Sequence, residues 1–261
     1  MKLGIIAPSA PVDLSRATKR GLEYVEFCFN NNEEAKAFIA NYDNIKAELD
    51  KTGIKLSSAG RWNSEPNKGA AGLDREIMDL QKATIDKAAA LGASVFTCGC
   101  NYDESVSLYK NYCNAVEYFS EICEYAKAQG LKTAVYNCDW NNFVRCDRHW
   151  EVVLGEVKDL YIKYDCSHAY YHGDDYKEEI YKWADRFAHM HLKGAVSANG
   201  KHVDDSPAGM DCIDWNFVLT SLYKSGYDGV LSIEPHSSTW RGELGEKGID
   251  FTVNFFKDKL L

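Results

Sequence analysis

No Cys-x-x-Cys pair occurs among the nine cysteines, at 28, 98, 100, 113, 123, 138, 146, 166 and 212, which argues against a zinc knuckle. No run of about 18 apolar residues is present, so no segment reads as a membrane span. Positive charge is in deficit. With 30 Lys and Arg against 39 Asp and Glu, the net charge of −9 disfavours a nucleic-acid partner, whose phosphates need clustered cations. A glycine-rich phosphate loop of the P-loop or dinucleotide type is missing, so neither a nucleotide nor NAD is indicated. Low-complexity tracts and Pro-rich linkers are missing too, and with them any mark of a second domain within 1–261. The opening Met1-Lys-Leu-Gly-Ile-Ile-Ala7 is too short for a signal h-region and reads as a first strand. With several cysteines in apolar runs (Cys28, Cys98, Cys166), this predicts reduced thiols in a cytoplasmic protein.

What is present is a chain of 261 residues, 45% hydrophobic and 26% charged, long enough to bury a full core without staples. Short apolar runs alternate with amphipathic stretches along its length. The runs Lys2–Ala7, Glu23–Phe29, Ile54–Ala59, Ser94–Gly99, Lys132–Cys138, Leu160–Asp165, Phe187–Leu192 and Gly229–Glu234 predict eight strands. Helices are predicted at Glu34–Lys51, Arg75–Leu91, Ser107–Gln129, Asp214–Ser225 and Lys247–Lys259. Gly53, Gly92, Gly130 and Gly226 each stand between a helix and the next strand, where a left-handed residue ends the helix. Eight such units predict a single (β/α)8 TIM barrel. The long irregular stretches 60–73, 138–147, 168–175, 194–211 and 235–246 all leave strand C-terminal ends, the face on which barrels build their sites.

Three polar residues close apolar runs late in the chain: Asp165 after Asp159-Leu-Tyr-Ile-Lys-Tyr164, His191 after Arg186-Phe-Ala-His-Met190, and Glu234 after Gly229-Val-Leu-Ser-Ile233. Strand alternation puts His189 with His191 on one side and Ser232 with Glu234 on one side. If those sides face inward, Asp165, His191 and Glu234 converge at the barrel mouth. Two carboxylates with one imidazole suit Mn²⁺, Mg²⁺, Co²⁺ or Zn²⁺ without choosing among them. The competing structural account makes Asp165 a cap for the next turn, the histidines satisfied core groups, and Glu234 a partner of a lysine. Around the mouth, Trp62, Trp140 and Trp240 offer faces on which a sugar can stack, and Arg61, Lys193 and Arg241 offer positive charge. His149, His172 and His202 read as polar loop residues; His236 stands two beyond Glu234.

The order of these segments resembles the xylose isomerase-like barrel superfamily, in its sugar phosphate isomerase/epimerase branch. Gly21-Leu-Glu-Tyr-Val-Glu-Phe27 is similar to that family's second strand with its glutamate. Asp165-Cys-Ser-His168 resembles its Asp-x-x-His, and His189-Met-His-Leu-Lys193 its His-x-His-Leu-Lys. Pro207 to Trp215 through Gly226 to Glu234 is the nearest match. The resemblance implies that Asp165, His191 and Glu234 bind metal and that His168 touches substrate. It also implies a fourth ligand, a glutamate from the fifth strand or just beyond, which often doubles as an acid–base. Ala134-Val-Tyr-Asn-Cys-Asp-Trp-Asn-Asn-Phe143 has none, and its place falls to Tyr136 or Asn142 by register. Asn142 could coordinate through its amide oxygen but cannot shuttle a proton. Asp139 is a possible substitute or a turn aspartate.

The expected activity is therefore a metal-dependent isomerase or epimerase on a small sugar, keto-sugar or related hydroxy-carbonyl, by enediolate-type proton transfer. Glu234 would serve as base, with His168 or Cys138 as possible helpers, and Lys193, Trp62, Trp140, Arg61 and Tyr136 as substrate contacts. The alternatives are a lyase or dehydratase on a keto-polyol or keto-glycoside, and a sugar-binding barrel without catalysis. The expected partner is a small carbohydrate, with no nucleic acid, no membrane and a possible homo-oligomer.

Overall fold

The computed structural model describes residues 1–261. Eight parallel strands close into a barrel: β1 (Lys2–Ile6), β2 (Tyr24–Phe29), β3 (Lys55–Arg61), β4 (Val95–Cys98), β5 (Lys132–Tyr136), β6 (Leu160–Tyr164), β7 (Phe187–Leu192) and, after a hairpin, β10 (Val230–Ile233). All eight predicted strands are seen, with no end shifted by more than two residues and Phe187–Leu192 matched at both ends. The hairpin, β8 (Val196–Ala198) and β9 (Lys201–Asp204), lies within the long loop 194–211 that was expected to be irregular.

Helices α4 (Arg75–Ala90), α5 (Leu108–Ala128), α9 (Trp215–Ser225) and α10 (Gly242–Lys257) match expected ones, though α10 starts five residues before Lys247. The stretch expected as one helix over 34–51 is two, α2 (Asn32–Ala40) and α3 (Tyr42–Thr52). They part at Asn41, whose amide donates to Ser9 O at 2.7 Å, a side-chain bond that competes with helix continuation. Short helices α6 (Asp147–Glu156) and α8 (Tyr176–Trp183) lie between strands, where a (β/α) alternation requires them, and α7 (Cys166–His172) takes up most of the stretch 168–175 expected to be irregular. Gly53, Gly92, Gly130 and Gly226 take positive φ at the four helix stops, as the sequence required. No helix is long and apolar enough to cross a membrane.

One apolar cluster of 60 buried residues fills the space between strands and helices and includes Ile162, Tyr164, Met190, Leu192, Leu231 and Ile233. Their strand neighbours therefore point inward. A second, small apolar cluster joins Val95, Ala134 and Ala188, with Tyr161 packed against it. The next level up is polar: Glu26, Ser58, Thr97, Lys163, His189 and Ser232 are all buried. A barrel interior is normally packed with branched apolar chains. Here that packing stops one layer short, and buried charge, costly unless paired, takes its place beneath the mouth.

Candidate metal centre

Register brings the expected residues together. Tyr164 pairs with Met190, so Asp165 and His191 leave adjacent strands side by side. Ile233 pairs with Leu192, which sets Glu234 beside Lys193. An oxygen of Asp165, a nitrogen of His191 and an oxygen of Glu234 lie within 4.8 Å of one another. His191 Nδ1 stands 4.0 Å from Asp165 Oδ2 and 3.1 Å from Glu234 Oε2.

Asp165 is both cap and candidate ligand because its two oxygens differ. Oδ1 caps α7, accepting from the Ser167 N–H at 2.9 Å and hydroxyl at 2.7 Å. Its backbone is clamped by Asn137, whose amide donates to Asp165 O at 2.8 Å and accepts from its N–H at 2.9 Å. Oδ2 is fully buried, accepts no hydrogen bond of good geometry, and faces the converging group with the Lys193 ammonium 3.2 Å away. Burial alone would raise this carboxyl, but the charges of Lys193 and, farther off, Lys163 outweigh it and hold it at about 2. A buried, ionised oxygen beside a second carboxylate and an imidazole nitrogen fits a divalent cation, with donors that suit Mg²⁺, Mn²⁺, Co²⁺ or Zn²⁺.

Glu26 sets the orientation of the imidazole. Its Oε2 lies 2.8 Å from His189 Nε2 and 2.9 Å from His191 Nε2, deep in the barrel. A proton on His191 Nε2 is thereby committed to Glu26, and Nδ1 is left for the mouth. Burial would raise the Glu26 carboxyl, yet the two imidazoles hold it well below the usual carboxylate range. Burial would likewise lower His191, but Glu26 and Glu234 raise it. Sequence reasoning noted the second-strand glutamate without giving it a task. Glu26, His189 and His191 also form a compact potential ligand group, but their contacts at 2.8 and 2.9 Å are those of hydrogen bonds.

Two buried lysines stand at or beneath the mouth. Lys193, predicted as a substrate contact, is buried with its ammonium 3.2 Å from Asp165 Oδ2, 3.2 Å from Glu234 Oε2 and 3.1 Å from His168 Nε2. Burial and the Lys193 charge push the His168 imidazole down to about 3, so it is neutral and accepts from that ammonium. Lys163, unremarked in the sequence, is 1% exposed on β6, level with His189, its ammonium 6.0 Å from the Trp62 ring centroid.

The β3–β5 side of the mouth departs from what was expected. Asn142 is not a ligand: its Oδ1 accepts from Cys100 N (3.1 Å) and Val144 N (3.2 Å), and its Nδ2 donates to Tyr136 O (2.6 Å) and Cys138 O (3.3 Å). The amide is consumed in fastening the loop after β5. The Tyr136 hydroxyl donates to Trp140 O at 3.0 Å and accepts from Asn63 N at 3.3 Å. Arg61 points outward from β3, binding Phe29 O, Trp62 O and Asn32 Oδ1, so it is a loop clamp rather than an anion site. Strand alternation already implied this, because Gly60 and Trp62 face the interior. Asp139 pairs with His172 at 3.3 Å, away from the converging group. Cys138 accepts from Trp140 N through its sulfur.

Trp62 is buried at the mouth, stacked on Tyr136 (centroids 5.5 Å apart, 11° between planes) and on His191 (6.4 Å, 19°). A side chain at Gly99 would meet the Tyr136 ring at 2.4 Å, so that glycine makes room for the aromatic wall. Trp140 is 46% exposed at the rim. Beside Glu234, a chamber of about 500 Å³ is lined by His202, Asp205, His236, Trp240 and Arg241. Asp205, Pro235 and His236 also line a smaller space that reaches Glu234. Asp205 lies 3.3 Å from both His202 Nε2 and His236 Nδ1.

The family model described as "Xylose isomerase-like TIM barrel" matches residues 14–258. Among solved structures, the chain superposes on the IOLI protein with a binding zinc atom at TM-score 0.78, with 18% identity over 99% of this chain and 97% of that one. It superposes on 3-keto-D-glucoside 4-epimerase YcjR from E. coli at TM-score 0.78, with 13% identity over 99% of both chains. The probable 3-DHS dehydratase AsbF from Bacillus anthracis gives TM-score 0.76, with 14% identity over 98% of this chain and 99% of that one. At these identities the likeness shows the fold. No curated protein matches the chain.

Proposed function

The chain belongs to the xylose isomerase-like TIM barrel family, and we propose that it is a metal-dependent isomerase or epimerase of a small sugar, keto-sugar or related hydroxy-carbonyl. The observation that carries this reading is the convergence of Asp165 Oδ2, His191 Nδ1 and Glu234 Oε2, with the Asp165 oxygen buried and free of any hydrogen bond of good geometry. A divalent ion held there would polarise a substrate carbonyl and make the neighbouring carbon-bound proton acidic. Glu234, 20% exposed where the others are closed in, is the carboxylate within reach of a substrate entering beside it. It would take that proton and deliver it to the adjacent carbon on the same face, a one-base isomerisation; epimerisation at the same carbon would need a second donor on the far face. Neutral His168, bonded to Lys193, would orient a substrate hydroxyl at the same edge. Trp62 closes the opposite side and excludes water. The chamber beside Glu234 has room for the rest of the sugar.

The β5 side lends a second reading some weight. With no carboxylate there to reprotonate the far face, elimination of water or a leaving group competes with epimerisation. Among structures of this fold, one is named an epimerase and another a probable dehydratase. Metal content of the purified protein and of Asp165→Asn, by mass spectrometry, tests the common premise: one ion per wild-type chain and its loss in the variant. Turnover of keto-sugars in D2O then separates the reactions. Epimerisation keeps the substrate's composition while taking up one deuterium; elimination loses water or the leaving group. Absence of stoichiometric metal from the wild type would overturn both.

A further inference from the structure

The two carboxylate oxygens that converge with His191 Nδ1 are also the two that hold Lys193, each 3.2 Å from its ammonium. We propose that Lys193 is an internal cation that competes with the divalent ion for Asp165 and Glu234, and that metal uptake turns its ammonium toward the substrate. This rests on the metal-dependent reading above and adds to it a residue that sets the affinity of the site.

A cation coordinated by both oxygens at about 2.1 Å would stand only a few ångströms from any group bonded to the same oxygens. Like charges at that separation in a buried site repel strongly, so one of the two cations must yield. The carboxylates are poorly placed to move. Asp165 is fixed by the Ser167 cap on one oxygen and by Asn137 on its backbone. Glu234 leaves β10 with its N–H donating to Leu192 O at 3.2 Å. Lys193 instead has a flexible four-carbon stem and a second partner, His168 Nε2 at 3.1 Å, on the side away from β10. No carboxylate from the β5 side offers the incoming ion an alternative, because Tyr136 and Asn142 spend their polar atoms on the backbone. Once released from the two oxygens, the ammonium stands beside Glu234 and His168, where it would meet negative charge on a substrate oxygen.

Calorimetric titration of the metal-free protein with Co²⁺, at fixed pH and ionic strength, tests this in wild type, Lys193→Met and Lys193→Gln. The neutral variants are expected to bind Co²⁺ on the order of 10- to 100-fold more tightly, the range in which neighbours of metal ligands act. Co²⁺ should also raise their melting temperature more than that of the wild type, since without metal the variants lack the ammonium that bridges Asp165 and Glu234. Should Lys193→Met not fold without metal, Lys193→Gln, which keeps a donor but not the charge, supplies the same comparison. Folded variants that bind Co²⁺ as the wild type does, or more weakly, overturn the competition and leave the metal-dependent reading standing. No binding by wild type or variants overturns both.

Discussion

The two halves of the barrel mouth use the same strand-end positions for opposite ends. On the β6–β7–β10 half, Asp165, His191, Lys193 and Glu234 turn charged or titratable atoms toward one point. On the β3–β4–β5 half, Trp62, Tyr136 and Asn142 present rings, or polar atoms already committed to backbone partners. The difference lies in which atoms remain free after the fold has used what it needs. Asp165 satisfies a helix cap with one oxygen and keeps the other; Asn142 has nothing left. On the function proposed above, proton transfer and metal binding would be confined to one side, and the other side would shape and dry the site.

Removing the base from the charged half should have the largest effect. Glu234→Gln is expected to slow exchange of the carbon-bound proton by about 10³ or more, as loss of a general base and a metal ligand together would. Deuterium wash-in on a keto-sugar turned over by the wild type measures it. Exchange that persists in the variant would mean the second half, or Lys163 beneath it, supplies the base, and the contrast between the halves would collapse.

The outer face of the charged half has its own electrostatics. Glu179 on α8 is buried, accepting from the Tyr164 hydroxyl at 2.8 Å and from Asp147 N at 3.3 Å. Burial, only partly offset by those bonds, raises its carboxyl from the usual 4.5 to about 7. A folded-state value above the unfolded one means the native protein holds the proton longer. Stability is then full below pH 4.5 and declines as pH rises toward 7, by up to roughly 3 kcal/mol. Urea denaturation at pH 5 and pH 8 should show Glu179→Gln lacking most of that decline. An equal decline in wild type and variant would place the pH dependence in the charged mouth instead.

Glu26 sharpens the comparison from below, since it makes one atom of His191 available by occupying the other. Glu26→Gln can still accept from one imidazole but no longer from both as an anion. Metal affinity is expected to fall 10- to 100-fold, with Asp165 and Glu234 unchanged. Affinity unchanged in titration would show that strand geometry alone orients His191.

How far these features could be read from the sequence follows the same division. Asp165, His191 and Glu234 were legible because each ends an apolar run, and alternation then fixes its side. The structural alternatives also hold: Asp165 caps a helix, the histidines are satisfied by Glu26, and Glu234 pairs with Lys193. Strand-end position does not separate the accounts, and the metal titrations proposed above are what would. Glu26 was opaque because its partners lie 163 and 165 residues away. Lys163 sits inside a run that reads simply as strand, and α7 carries no helical apolar period across Cys166–His172. Arg61 was misread through loop position, although the inward Gly60 and Trp62 beside it gave the correct side.

The smallest expected effect tests whether the quiet half can be recruited. Asn142→Asp puts a carboxylate at the position where a fifth-strand acid was looked for, with little change in size. It loses the two amide donors and sets negative charge against the carbonyl oxygens of Tyr136 and Cys138, now 2.6 and 3.3 Å from Nδ2. That should cost about 1–2 kcal/mol of stability, the range for a buried partner left unsatisfied. Metal affinity should change by less than about threefold, because the amide contributes no atom to the converging group. A variant that instead binds metal more tightly would show the loop after β5 to be pliable enough to deliver a ligand. The asymmetry of the mouth would then belong to residue identity at one position and not to the way the loop is fastened.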